Sequence, residues 1–137
     1  MRGRVFLDTA RTLLQYDVED CLRGSAGRAY YALFLEARDL LARWGIQSPN
    51  YQAHLFVRTR FQFSGSPELK QIGDDLYLLS RLRILADYET WHSGPFYDDS
   101  ESADAIHVSE HAIARLDSIE ADPAHRAAAI AAIRAIP

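Results

Sequence analysis

The chain has 137 residues and a mass of 15.5 kDa, enough for one domain with a sizeable core and too little for two. Its 48% apolar and 25% charged residues exclude a disordered or collagen-like polymer, and the lone Cys21 excludes an internal disulfide or a thiolate metal cluster. The net charge of −4 argues against a general polyanion-binding role, although residues 1–60 hold nine Arg against six acids and residues 61–137 hold six cations against thirteen.

The N-terminus, Met1-Arg-Gly-Arg4, has the basic start of a signal peptide, but Asp8 and Arg11 interrupt it before an apolar stretch develops, so the expected place is the cytoplasm. No apolar run approaches the roughly 18 residues that span a bilayer. From Val5 to Leu22 the apolar positions Leu7, Ala10, Leu14, Val18 and Cys21 predict a first helix that stops near Gly24. Ala26, Tyr30, Leu33, Ala37, Leu40 and Trp44 draw the stripe of a second helix, with Gly45 just past its end. A shorter third helix is expected over Tyr51 to Arg60, entered after Ser48-Pro49-Asn50. Ser66-Pro67 offers an N-cap and a first-turn proline to a fourth helix through Leu69, Ile72, Leu76, Leu79, Arg83 and Ala86. The segment His92 to Asp99 reads as loop. Beyond it Ser100 is expected to cap a helix whose stripe is Ala105, Val108, Ala112, Leu116 and Ile119, and Asp122-Pro123 opens an Ala-rich last helix over 123–136 that packs on the bundle or on another subunit. No strand emerges, and the expected fold is all-α, an antiparallel bundle of four to five helices with an extra C-terminal helix, in a single domain over 1–137.

Two positions break the pattern. Arg83 stands where its stripe demands an apolar side chain, which is costly for an unpaired charge, and Asp87 lies one turn later within reach of an ion pair. A buried structural pair and a functional cluster both fit. Arg28 raises the same question on a secondary apolar face with Tyr31 and Leu35, while Tyr30 and Tyr31 read first as core aromatics. Fourteen of the fifteen basic residues are Arg, a composition habit first and a means of phosphate binding second. His107-Val108-Ser109-Glu110-His111 fits a zinc-peptidase pattern, but the helical wheel turns both histidines away from the apolar stripe, so no metal is assigned there.

Ser25-Ala26-Gly27-Arg28-Ala29-Tyr30-Tyr31-Ala32-Leu33-Phe34 resembles the S-R-A-Y-Y-A-x-F signature of the second helix of small prokaryotic HEPN proteins, and Arg83-Ile84-Leu85-Ala86-Asp87-Tyr88 resembles the R-x-x-A-D-Y signature of their fourth. His54 sits where that branch often has a histidine opening the third helix, and the resemblance covers residues 4–119. It implies a HEPN-like helical bundle, commonly a homodimer, with polar residues of the fourth helix near a cleft at the dimer interface. It also implies a metal-independent endoribonuclease of toxin–antitoxin or defence type, often encoded beside a minimal nucleotidyltransferase, with no cofactor. The family's catalytic motif sets a histidine after the Arg with four to six residues between them. Here His92 follows Arg83 after eight, and Tyr88 occupies the expected range. The candidate catalytic residues are therefore Arg83, Asp87 and His54, with Arg28, Tyr31, Tyr88 and His92 as candidate binding residues for RNA or a nucleotide. The alternative is a non-catalytic subunit that partners a nucleotidyltransferase or a second copy of itself.

Overall fold

The computed structural model describes residues 2–91 and 93–137, and among these it holds six α-helices, one turn of 3₁₀ helix and no strand. The helices are α1 (Gly3–Leu14), α2 (Glu19–Arg43), α3 (Ala53–Gln62), α4 (Pro67–Tyr88), α5 (Ser100–Ala121) and α6 (Pro123–Arg134). The 25-residue α2 is the axis of the bundle, with α1 and α5 on one flank and α4 on the other.

Short-range chemistry sets the boundaries. The first predicted helix is two: the chain breaks after Leu14, Asp17 takes φ 49°, and α2 starts at Glu19. Apolar spacing runs on across this break and hides it, whereas Asp17 is one of the residue types that tolerate a left-handed backbone. Gly24 is thus no helix stop. It lies inside α2, where an added Cβ would come within 3.2 Å of Leu13 Cδ1, so its small size serves the close approach of α1. The end of α2 follows the sequence: Gly45 at φ 80° donates to Ala42 O and Ile46 N to Leu41 O, the paired bonds of a glycine-terminated helix. The Ser66 side chain accepts from Leu69 N and Asp122 from Ala124 N and His125 N, as expected of both caps. Ser100 does not cap α5. Asp99 holds that position, while the side chain of Asp98 takes both the N–H and the hydroxyl of Ser100. The expected loop over 92–99 contains a 3₁₀ turn at Gly94–Phe96 that buries Phe96 against Leu22, Ala26 and Ala86.

Contacts fix the directions. Leu13 meets Gly24 and Gly3 meets Glu36, so α1 runs antiparallel to α2. Arg23 reaches the carbonyls of Leu85 and Ala86, and Tyr30 lies against Arg83, so α4 is antiparallel to α2 as well. Ser102 donates to Leu22 O and Glu120 accepts from Trp44 Nε1, which makes α2 and α5 a parallel pair. The main core is an apolar cluster containing Leu33, Leu40, Leu41, Phe61, Ile72, Leu76 and Leu116, all nearly or fully buried, and a smaller cluster gathers Leu22, Ala26, Ala86 and Phe96. The last helix packs on this body: Ala129 and Ile133 are buried, Arg134 donates to Trp44 O, and His125 pairs with Glu68 at 2.6 Å. No helix among the described residues is long and apolar enough to cross a membrane.

Candidate functional site

One of the two charged breaks in the apolar pattern, Arg83, meets an aromatic cluster on the α2, α3 and α4 side of the bundle. Tyr30, Phe34 and Arg38 recur at intervals of four on α2 and so share one face. The Tyr30 and Phe34 rings stack with centroids 6.0 Å apart, and the Arg38 guanidinium lies 5.9 Å from the Phe34 ring. Onto this ladder α3 sets His54, whose imidazole stacks on Phe34 at 4.0 Å and whose Nδ1 lies 2.6 Å from the Tyr30 hydroxyl. From α4 comes Arg83, only 18% exposed, with its guanidinium 5.4 Å from the Tyr30 ring and 5.5 Å from the Tyr31 ring.

Arg83 is the least compensated charge in this cluster. Nη1 reaches Asp87 Oδ2 at 3.3 Å and the Tyr31 hydroxyl at 3.5 Å, while Nε is buried without a hydrogen-bond partner. Asp87 is 46% exposed, so this is a half-solvated pair rather than the sealed salt bridge that the apolar stripe allowed for. Two aromatic faces supply the rest of the stabilisation through the attraction of a cation to the ring quadrupole. The two hydrogen-bond partners of Arg83, Tyr31 and Asp87, line a cleft of about 180 Å³ together with Gly24, Gly27 and Arg28. Arg28 is solvent-exposed and its guanidinium lies 5.5 Å from the Phe6 ring of α1.

The local field shapes both titratable rings. Burial, Arg83 and Arg38 hold the His54 pKa below 6.5, so the ring is neutral at neutral pH. Burial pushes the Tyr30 phenol up to about 12 against the opposing pull of Arg83 and Arg58, so it keeps its proton. The hydrogen bond between them can run in either sense. With Tyr30 donating, His54 carries its proton on Nε2 and offers only a donor. With Nδ1–H donating, Nε2 has a free lone pair and can take a proton.

Of the candidates, Arg83, Asp87, Tyr31 and His54 therefore come together around the Tyr30 and Phe34 rings, while Arg28 shares only the cleft lining with Tyr31 and Asp87. Tyr88 does not join them: it is the last residue of α4 and stands 69% exposed, outside the cleft lining. His92 lies outside the described residues. On α5, His107 and His111 are exposed with rings 6.4 Å apart, and Arg11 engages Glu110 at 2.6 Å. Among the described residues no group of three or more His, Cys, Asp or Glu is placed to hold a metal ion. Sequence reasoning missed Arg38 and Arg58, whose charges act on His54 and Tyr30. A signal for Arg58 was present: no acid occurs between Asp39 and Glu68, while that stretch carries Arg43, Arg58, Arg60 and His54.

Compared with models of protein families, with curated proteins and with solved structures, the chain gives no match.

Proposed function

We propose that this chain is a HEPN-type bundle of the toxin–antitoxin or defence class that binds an RNA or nucleotide phosphate at Arg83 and cleaves RNA without a metal. The observation that carries the reading is the placement of Arg83: a guanidinium set against two tyrosine rings and half-neutralised by one carboxylate, its partners Tyr31 and Asp87 lining a cleft, with a histidine stacked in the same aromatic cluster. A planar, permanently charged fork in that setting suits a phosphate. Attack of a 2′-hydroxyl on the adjacent phosphorus needs a base for its proton and a cation for the charge that builds on the phosphorane oxygens. Arg83 supplies the cation and Arg28 a second contact at the cleft edge. Asp87 orients Arg83, and His54 serves as the base in the tautomer that leaves Nε2 unprotonated.

The test is cleavage of a labelled single-stranded RNA in EDTA by the wild type, Arg83→Ala and His54→Ala. Cleavage by the wild type that disappears in Arg83→Ala supports the reading. A folded wild type that neither cleaves nor binds the strand overturns it.

A second reading, a non-catalytic subunit pairing with a nucleotidyltransferase or with its own copy, has its own observations. The Arg-to-His spacing departs from the catalytic motif, and an apolar groove of about 270 Å³ lies open between α4 and α5, lined by Leu78, Leu82, Leu85 and Val108 with Glu101 and Asp104 at its rim. Sedimentation that finds only monomer, alone and with a co-encoded partner, overturns this reading.

A further inference from the structure

Beside the Arg83 cluster the α3–α4 face carries a second group of cations that the pattern of the sequence did not single out. Tyr77 on α4 is flanked by two guanidinium groups, Arg58 of α3 at 5.0 Å and Arg81 of its own helix at 5.8 Å from the ring centroid, and Arg81 also donates to the Tyr77 hydroxyl at 3.2 Å. Neither arginine forms an ion pair with a carboxylate among the described residues, and Arg58 Nε is buried without a hydrogen-bond partner. Asp74, one turn before Tyr77, accepts from Gln62 of α3, while Arg81 stands at the edge of the α4–α5 groove that Glu101 and Asp104 also line, and feels the charge of Glu89. The two groups adjoin on α3, where Arg58 lies one turn after His54.

We infer that Arg58, Tyr77 and Arg81 form a second phosphate subsite, so that the ligand of this face is a single-stranded polynucleotide backbone running along α3 and α4, with one phosphate at Arg83 and another at the Arg58–Arg81 pair. The inference rests on the phosphate reading of Arg83 and sharpens it. Tyr77 is six residues before Arg83, which is about 9 Å along a helix axis. One phosphate cannot bridge that span, and Tyr77 also lies about a third of a turn around the helix from Arg83, so the two positions take separate phosphates. The faces of Tyr77 are taken by guanidinium groups, so the subsite presents N–H donors to an anion rather than a bare ring to a base. The guanidinium planes remain available for the stacking that single strands exploit. An acidic peptide would meet the charges but gain nothing from these planes.

The measurement is fluorescence anisotropy of a labelled 2′-O-methyl RNA of about twelve nucleotides, which has no free 2′-hydroxyl to attack, titrated across a salt series with AMP and polyglutamate as competitors. The double variant Arg58→Ala/Arg81→Ala is expected to lose about tenfold or more in strand affinity. Its slope of log affinity against log salt should flatten by about 0.7, the worth of one phosphate contact on a single strand. Competition by AMP at Arg83 should be unchanged. The variant Arg58→Lys/Arg81→Lys should keep the slope, which a merely structural role would not predict. Arg83→Ala should weaken both the strand and AMP. If Arg58→Ala/Arg81→Ala binds the strand as the wild type does while Arg83→Ala does not, the second subsite is wrong and the phosphate reading survives. If Arg83→Ala changes nothing, the phosphate reading itself fails. Polyglutamate that competes as strongly as the strand would overturn the assignment to nucleic acid.

Discussion

The two flanks of α2 use arginine in opposite ways. On the α1 and α5 side most arginines end on carboxylates, Arg4 on Glu36 and Asp117, Arg11 on Glu110, Arg43 and Arg126 on Glu120, with Arg28 over the Phe6 ring as the exception. On the α3 and α4 side they lie over rings, Arg83 on Tyr30 and Tyr31, Arg58 and Arg81 on Tyr77, and Arg60 on Phe56. A carboxylate neutralises a guanidinium and occupies its donors, whereas a ring holds it in place and leaves its N–H groups free for another anion. The first flank is a finished surface, and the second still has unfilled bonding capacity.

The largest effect expected from breaking this contrast is mechanical. Gly73 lets α4 pass against the end of α3, where an added Cβ would stand 2.5 Å from Gln62 N and 2.6 Å from its Cα. Backbone cannot yield as a side chain end can, so Gly73→Ala should lower stability by about 3 kcal/mol. It should also loosen the strand-binding face, because α3 carries His54 and Arg58. Urea unfolding reads the first effect and anisotropy the second. Gly65, whose added Cβ meets nothing within 4 Å, is the control, and Gly65→Ala should shift stability by less than about 1 kcal/mol.

Next in size is the loss of one arginine from each flank. Arg83→Ala should cut phosphate or strand affinity by about tenfold or more, the worth of a charge-assisted hydrogen bond to a phosphate. Arg4→Ala removes a half-exposed pair and should cost about 1 kcal/mol or less of stability with binding unchanged. Equal effects of the two substitutions on binding would erase the distinction between the flanks.

What the sequence disclosed follows the same division. Periodicity and caps located α4 and the glycine-terminated end of α2, since those signals are local. The break at Gln15 to Val18 was invisible because the apolar spacing of α1 continues in phase into α2. Arg83 was legible because it interrupts a stripe, and Asp87 because it lies one turn away on the same helix. His54 could be tied to them only through a family resemblance, because its place depends on how α3 docks on Phe34 and Tyr30. Arg58 and Tyr77 lie 19 positions apart on different helices, and nothing in the periodicity of either one pairs them.

A smaller effect sharpens the electrostatic side of the comparison. The folded His54 ring binds its proton less tightly than the free residue, so folding favours the neutral form. The stability it contributes is complete above pH 6.5 and is lost as the pH falls through the lowered folded value. Titration of the His54 ring by NMR should give a midpoint below 6.5 in the wild type and one closer to 6.5 in Arg83→Ala. Return should be partial, since burial is the leading cause and Arg38 remains. Phosphate bound at Arg83 should raise the midpoint in the wild type and leave it unmoved in Arg83→Ala.

The smallest effect probes the finished flank. Three serines are fully buried on α2 and α5, but they are not equivalent: Ser25 donates to Ala10 O and Ser102 to Leu22 O, each at 2.8 Å, while Ser109 Oγ has no hydrogen-bond partner. Removing a satisfied hydroxyl deprives a buried carbonyl of its donor, and removing an unsatisfied one relieves a desolvated polar group. Ser25→Ala and Ser102→Ala should each cost about 1 kcal/mol, and Ser109→Ala should be neutral or stabilising by up to about 1 kcal/mol. None of the three should change strand binding, because all lie across α2 from the unpaired arginines. A binding defect in Ser109→Ala would mean that the flanks communicate through the core, and that the ring-stacked arginines depend on more than the rings beneath them.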